Sequence, residues 1–195
     1  MVCGIPICYK HSTPKESVLK PIYVIFLSQI RLKKQSIKKE QMIISTKLTS
    51  DIRLEEALKN ADIQDPLTVT KLVISGLIKQ KDFWYIRENM RGTLQELDMR
   101  NASISKNRIA EKAFEGCIGL TTVIIPDSVV ELEASIFNFC SHLTSMTIGR
   151  GVTSIGKYMF GYCQSLTSVY ILSSVTYIAE IGYILWGGVS KMCYL

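Results

Sequence analysis

Apolar positions along this chain recur at a fixed long interval. Phe114, Phe137 and Phe160 stand 23 residues apart, as do Cys117, Cys140 and Cys163. Leu120, Leu143 and Leu166 keep the same step, and so do Val123, Met146 and Val169, then Ile125, Ile148 and Ile171, then Val129, Val152 and Val175. Ile109, Leu132, Ile155 and Ile178 make a column of four. Self-similarity of this kind marks stacked repeats. Each unit contains Leu-x-x-Val-x-Ile, with Met in the Val position of one copy, and its second half alternates apolar and polar, which predicts a short half-buried strand. Looser copies lie upstream, at Val69-x-x-Leu72-x-Ile74 and Leu94-x-x-Leu97-x-Met99, so the strand motifs start at residues 69, 94, 120, 143 and 166.

One 23-residue unit cannot bury its own apolar face, so neighbours must stack and the columns become ladders through one elongated core. The predicted architecture is an α/β repeat solenoid: a short array of about five stacked strands with an N-terminal helical cap. At about 4.8 Å per strand, five rungs extend only about 20–25 Å. Phe114, Phe137 and Phe160 are expected to fill the return side behind Leu120, Leu143 and Leu166. Ser128, Gly149, Gly151, Ser173 and Ser174 suit the bends. Ser50 or Asp51 is placed to cap a helix over residues 52–60, with Glu55 and Glu56 near its positive end. A second helix is predicted over 82–90.

The three regular units read AFEGCIGLTTVIIPDSVVEL, IFNFCSHLTSMTIGRGVTSI and MFGYCQSLTSVYILSSVTYI. This form resembles the BspA-like leucine-rich repeat family, and the resemblance covers about residues 51–178. The Leu94 copy continues to Asn101 and Ile104, where the resemblance implies an Asn side chain bonding backbone groups at the turn. It also implies a protein of the bacterial surface or exterior that binds host proteins rather than catalysing a reaction.

Composition adds a boundary. The 195 residues carry a formal charge of +6, with 47% hydrophobic residues. The first 50 hold nine Lys/Arg against two acids, so the whole excess lies there, and the rest is close to neutral. The chain therefore divides into a basic N-terminal extension at 1–48, a leucine-rich repeat domain at 49–182 and a degenerate apolar tail at 183–195. Within the extension, the run IYVIFL at 22–27 is far short of a membrane span. Its length touches that of a signal-peptide core, but no small-residue cleavage pattern follows. The alternative is a start at Met42. The basic stretch RLKKQSIKK at 31–39 lacks interleaved aromatic residues, which disfavours nucleic acid. In the tail, the 23-residue register places Tyr183, Trp186 and Val189 in the Phe, Cys and Leu columns. The other register aligns Ile181-Gly182 with Ile155-Gly156 and puts Lys191 in the Leu column. Either way the tail reads as a truncated or frameshifted array with an open edge suited to self-association. The second reading of the whole chain is accordingly a structural fragment of a longer array without its own ligand.

Candidate chemistry is sparse. Cys3 and Cys8 have no partner pair at zinc spacing. Cys117, Cys140 and Cys163 occupy a repeat column and are expected as buried, reduced thiols. His142 lies beside Cys140 in sequence rather than across a site from it, and Glu131 and Glu133 read as solvated acids. No catalytic residue, metal site or cofactor is expected. Alternation instead points strand positions three and five outward together: Lys71 and Val73, Glu96 and Asp98, Thr122 and Ile124, Ser145 and Thr147, Ser168 and Tyr170. This row is the candidate concave binding face, with Tyr170 as its large anchor, suited to a protein or glycan ligand such as a host matrix protein.

Overall fold

The computed structural model describes residues 42–179 and 191–194, giving the backbone alone at 168, 170, 171 and 191–194. Strand β1 (Met42–Leu48) is followed by helix α1 (Leu54–Asn60), strand β2 (Val69–Ile78) and helix α2 (Gln80–Met90). Short strands follow: β3 (Glu96–Asp98), β4 (Ala102–Ile104), β5 (Arg108–Ile109), β6 (Thr122–Ile124), β7 (Glu131–Leu132), β8 (Ser145–Thr147), β9 (Ser154–Ile155), β10 (Ser168–Ile171), β11 (Tyr177–Ile178) and β12 (Lys191–Tyr194).

Every strand pairing among the described residues is parallel. The main sheet runs β1-β2-β3-β6-β8, and β4 also pairs with β2. Leu72 aligns with Leu97, Leu97 with Val123 and Val123 with Met146, so the motif columns are the register itself. A second sheet, β5-β7-β9-β11, is built on the column Ile109, Leu132, Ile155 and Ile178. The parallel strands and few helices make the fold a short leucine-rich-repeat α/β solenoid.

Two boundaries differ from the sequence reading. The seven residues of β1 pair with β2, so the sheet begins upstream of residue 49. Ile44, Thr46 and Leu48 turn toward the core while Ile43, Ser45 and Lys47 are exposed, an alternation hidden by the basic residues around it. At the other end β10 pairs with β12 rather than joining β8, so β1 and not β10 completes the five-strand path. Val169 faces Met192 in that pair, so the backbone keeps the 23-residue step within the segment read as a degenerate tail. Residues 1–41 of the 1–48 extension, including its basic stretch, and residues 180–190 and 195 lie outside the described residues.

Strand β2 is long because it borders three strands, with β1 on one edge and β3 then β4 on the other. Gly76 lets β1 approach: its φ is +77°, and a Cβ there would collide with the Leu48 carbonyl oxygen. Val69, Leu72, Ile74 and Ile78 of this strand are fully buried.

The return side is stitched by turns that also repeat. Lys112, Ser135 and Tyr158 are left-handed, as are Gly116, Phe139 and Tyr162 four residues further on. These turns aim N–H groups along the stack: Phe114 donates to the Ile136 carbonyl, Phe137 to Met159 and Phe139 to Gly161. On the strand side, the Thr121 hydroxyl donates to the Gln95 carbonyl and Thr144 to Thr121, each at 3.0 Å. Within the return side Phe114, Phe137 and Phe160 are buried and stacked, with centroids 5.4 and 6.1 Å apart. Phe83 of α2 extends the stack edge-on at 5.3 Å from Phe114, so this helix takes the place of a return segment.

Neither Ser50 nor Asp51 caps α1. The buried Asp82 does so from α2: its Oδ1 accepts from the Leu54 N–H at 2.9 Å. Its Oδ2 accepts from the Lys79 N–H at 2.8 Å, at the start of its own helix, and from Arg53 Nη1 at 2.9 Å. One carboxylate thus satisfies the starts of two helices. Asn101 lies exposed in its turn, which is closed instead by the Ala102 N–H on the Met99 carbonyl and the Arg100 N–H on Asp98 Oδ1.

Candidate functional site

The period-two alternation of the strands sends the motif residues inward and their neighbours outward. Leu72, Leu97, Val123 and Met146 are buried. Beside them, parallel register gathers two outward rows. Lys71, Glu96, Thr122 and Ser145 form one, and Val73, Asp98, Ile124 and Thr147 form the other. All eight are partly or fully exposed. The backbone of Ser168 and Tyr170 continues in β10, paired with Lys191 and Cys193, while their side chains lie outside the described set.

The rows change character along the stack. Lys71 Nζ and Glu96 Oε2 form a 2.7 Å ion pair, half in solvent, which contributes little to stability. Asp98 is held by Arg100 Nε at 2.9 Å. From Thr122 onward the rows are small and hydroxyl-bearing apart from Ile124. Where β6 and β8 end, a cavity of about 450 Å³ opens, lined by Ile124 and Thr147 together with Arg100, Pro126, Asp127 and Arg150. The last four were missed by the sequence reading because they follow the strand motif. Asp127 Oδ1 accepts the Arg150 N–H at 2.8 Å, which ties the two rims of this cavity. Guanidinium and carboxylate groups beside an apolar Ile suit directional hydrogen bonding to a polar ligand.

The thiols are core groups. Cys117, Cys140 and Cys163 are free and fully buried. Cys140 Sγ donates to the Phe114 carbonyl at 3.2 Å and Cys163 Sγ to the Phe137 carbonyl at 3.0 Å. Burial pushes Cys117 and Cys163 up to about 12 and raises Cys140 well above its ordinary value. A thiol so protonated is a poor nucleophile. His142 Nδ1 lies 2.6 Å from the Ile118 carbonyl; a carbonyl only accepts, so Nδ1 carries the proton. The neighbouring Cys140 points into the core instead. Glu133 is not simply solvated: it accepts from the Glu111 N–H at 2.8 Å and pairs with Arg108 at 3.0 Å, joining successive units. Among the described residues no group of three or more His, Cys, Asp or Glu is placed to hold a metal ion, and no helix is long and apolar enough to cross a membrane.

Stacked parallel rungs, a continuous apolar ladder and an outward row of varied side chains define a leucine-rich-repeat interaction module. Residues 91–182 match the BspA type leucine rich repeat region in six copies. Among solved structures, the chain is similar to a leucine rich repeat protein of T. pallidum, at 22% identity and a TM-score of 0.46, over 71% of this chain and 52% of that one. It is also similar to a leucine rich cell surface protein of Faecalibacterium prausnitzii A2-165, at 19% identity and a TM-score of 0.39, over 76% of this chain and 42% of that one. The chain thus spans about half the length of these proteins or less. No curated protein matches it.

Proposed function

We propose that the chain is a non-catalytic, adhesin-like binding module of a surface or secreted protein, holding a protein ligand on the outward face of its main sheet. The residues assigned to the contact are Lys71, Val73, Glu96, Asp98, Thr122, Ile124, Ser145, Thr147, Ser168 and Tyr170. The observation that carries this reading is the register, which aligns outward residues of successive units into rows free of the packing demands on their inward neighbours. Such rows carry ligand contacts in repeat proteins because they form one extended surface. Among the described residues, the buried thiols of Cys117, Cys140 and Cys163 and the backbone-bonded His142 are engaged in structure, which supports binding over catalysis.

Thr122→Arg and Ser145→Arg test the assignment in a pull-down and surface-binding assay against immobilised extracellular-matrix proteins. Both positions are on the sheet surface, so stability is expected to stay within about 0.5 kcal/mol of the parent. Binding is expected to fall about tenfold or more through lost complementarity. A matrix protein that binds both variants as tightly as the parent refutes the face assignment.

A further inference from the structure

We propose a second binding site on the return segments: a groove beside the Phe139–Tyr162 ring pair that takes one residue of a neutral saccharide. The repeats supply an internal comparison. Gly116, Phe139 and Tyr162 occupy equivalent positions with φ of +70°, +61° and +57°. Glycine adopts that conformation freely, whereas a side chain with a Cβ is strained in it. Two units nevertheless place aromatic rings there, and burial does not compensate, since Phe139 and Tyr162 are 47% and 49% exposed. Two residues before each of them, Phe137 and Phe160 are buried in the core. The exposed rings stack face to face, with centroids 4.4 Å apart and planes within 4°. A costly backbone conformation that displays rings to solvent points to a use for those rings.

Beside Tyr162 lies an open cavity of about 300 Å³, lined by Ser135, Asn138, Tyr158, Gly161 and Tyr162. Gly161 keeps its floor clear, because a Cβ there would collide with Asn138 Oδ1. Asn138 Nδ2 donates to Glu115 Oε1 at 3.1 Å, which fixes the amide plane. The volume is at the lower end of small-molecule sites and matches one sugar ring. The lining contains two phenol rings, an amide and a hydroxyl, with no charged side chain to pair with phosphate or sulfate and no aliphatic wall for an apolar ligand. All five lining residues sit in turns, so no strand edge borders the groove for a peptide to extend. A pyranose combines an apolar C–H face, which stacks on a ring, with hydroxyls that exchange hydrogen bonds with an amide.

The test is calorimetric titration of the full chain with chitotetraose, cellotetraose, mannotetraose and lacto-N-tetraose, with a heparin tetrasaccharide as the anionic control. At least one neutral probe is expected to bind, the heparin fragment is not, and Tyr162→Gly weakens the contact about tenfold or more. Glycine there takes the conformation of Gly116, so the thermal midpoint is expected not to fall. Tyr162→Asn is a second ring-free variant that tolerates left-handed backbone. Thr122→Arg should leave saccharide binding intact, which separates this groove from the sheet face. The proposal is overturned if none of the four neutral probes binds at millimolar concentration, if binding survives both ring-free variants, if heparin binds equally well, or if binding and midpoint fall together in both variants.

Discussion

The buried Asp82 holds the N-terminal end together through a single carboxylate. Replacing it by alanine removes three acceptor contacts at once: the Leu54 N–H at 2.9 Å, the Lys79 N–H at 2.8 Å and Arg53 Nη1 at 2.9 Å. Each lost helix-start contact costs about 1 kcal/mol. The ion pair adds about 1–2 kcal/mol, kept low because the Arg53 side chain is still 24% exposed and partly solvated. Asp82→Ala is therefore expected to lose about 3–4 kcal/mol, a large share of the about 5–15 kcal/mol typical of a whole domain. Asp82→Asn keeps an acceptor oxygen and should lose about half as much. Urea denaturation followed by far-UV circular dichroism reads the loss as a shift in midpoint at constant slope. Amide exchange should quicken first at Leu54 and Lys79. If Asp82→Ala costs less than about 1 kcal/mol, or Asn and Ala cost the same, the single carboxylate does not hold the two helix starts.

Two further perturbations probe the interior of the stack. The thiols of Cys117, Cys140 and Cys163 stay protonated in the fold well above their ordinary value near 9, so the native state binds more protons than the unfolded chain at alkaline pH. Their contribution is intact below pH 9 and lost as pH climbs toward 12, at somewhat over 1 kcal/mol per thiol between pH 8 and 10 and about 4 kcal/mol together. Urea midpoints at the two pH values should show that drop in the parent and a much smaller one in the triple Cys→Ala variant, and equal drops would exclude the thiols as its source. Phe137→Ala, which removes the ring between Phe114 and Phe160, is expected to cost about 4 kcal/mol by the same assay. A cost under about 1 kcal/mol would mean that the return side tolerates a void.

The ladder was legible because burial at a fixed period leaves little freedom. Leu72, Leu97, Val123 and Met146 fall into register where their spacing put them. The second sheet was visible only as a column, Ile109 to Ile178, because its two-residue strands are too short to show alternation. Strand β1 escaped because a parallel edge strand next to a lysine-rich segment has no repeat partner in sequence. The role of Asp82 was illegible for a different reason: its partner Leu54 lies 28 residues away, and only the packing of α1 on α2 brings them together. At the outward face the parity of Thr122, Ile124, Ser145 and Thr147 followed from the strand period. Arg100, Asp127 and Arg150 lie beyond the strands, where no period constrains side-chain direction.

The same logic separates positions shaped by packing from positions shaped by something else. A column whose members are all apolar and buried, such as Phe114, Phe137 and Phe160, is explained by the core it fills. Thr121 and Thr144 are explained by the carbonyls of the preceding unit. In the column Gly116, Phe139 and Tyr162 the backbone is explained in the same way, by N–H groups donated to the next unit, such as Phe139 to the Gly161 carbonyl, but the choice of exposed rings over glycine is not. Strain relief predicts glycine at all three, and burial predicts rings turned inward; the observed rings are exposed and stacked on each other. Stacking alone returns about 0.5–1.5 kcal/mol, whereas two left-handed side-chain positions cost about 1–2 kcal/mol each. Stacking therefore does not by itself repay the backbone cost; the turns are held by hydrogen bonds along the stack, such as Phe139 N–H to the Gly161 carbonyl, and it is the exposure of the rings, not the backbone, on which the proposed saccharide contact rests.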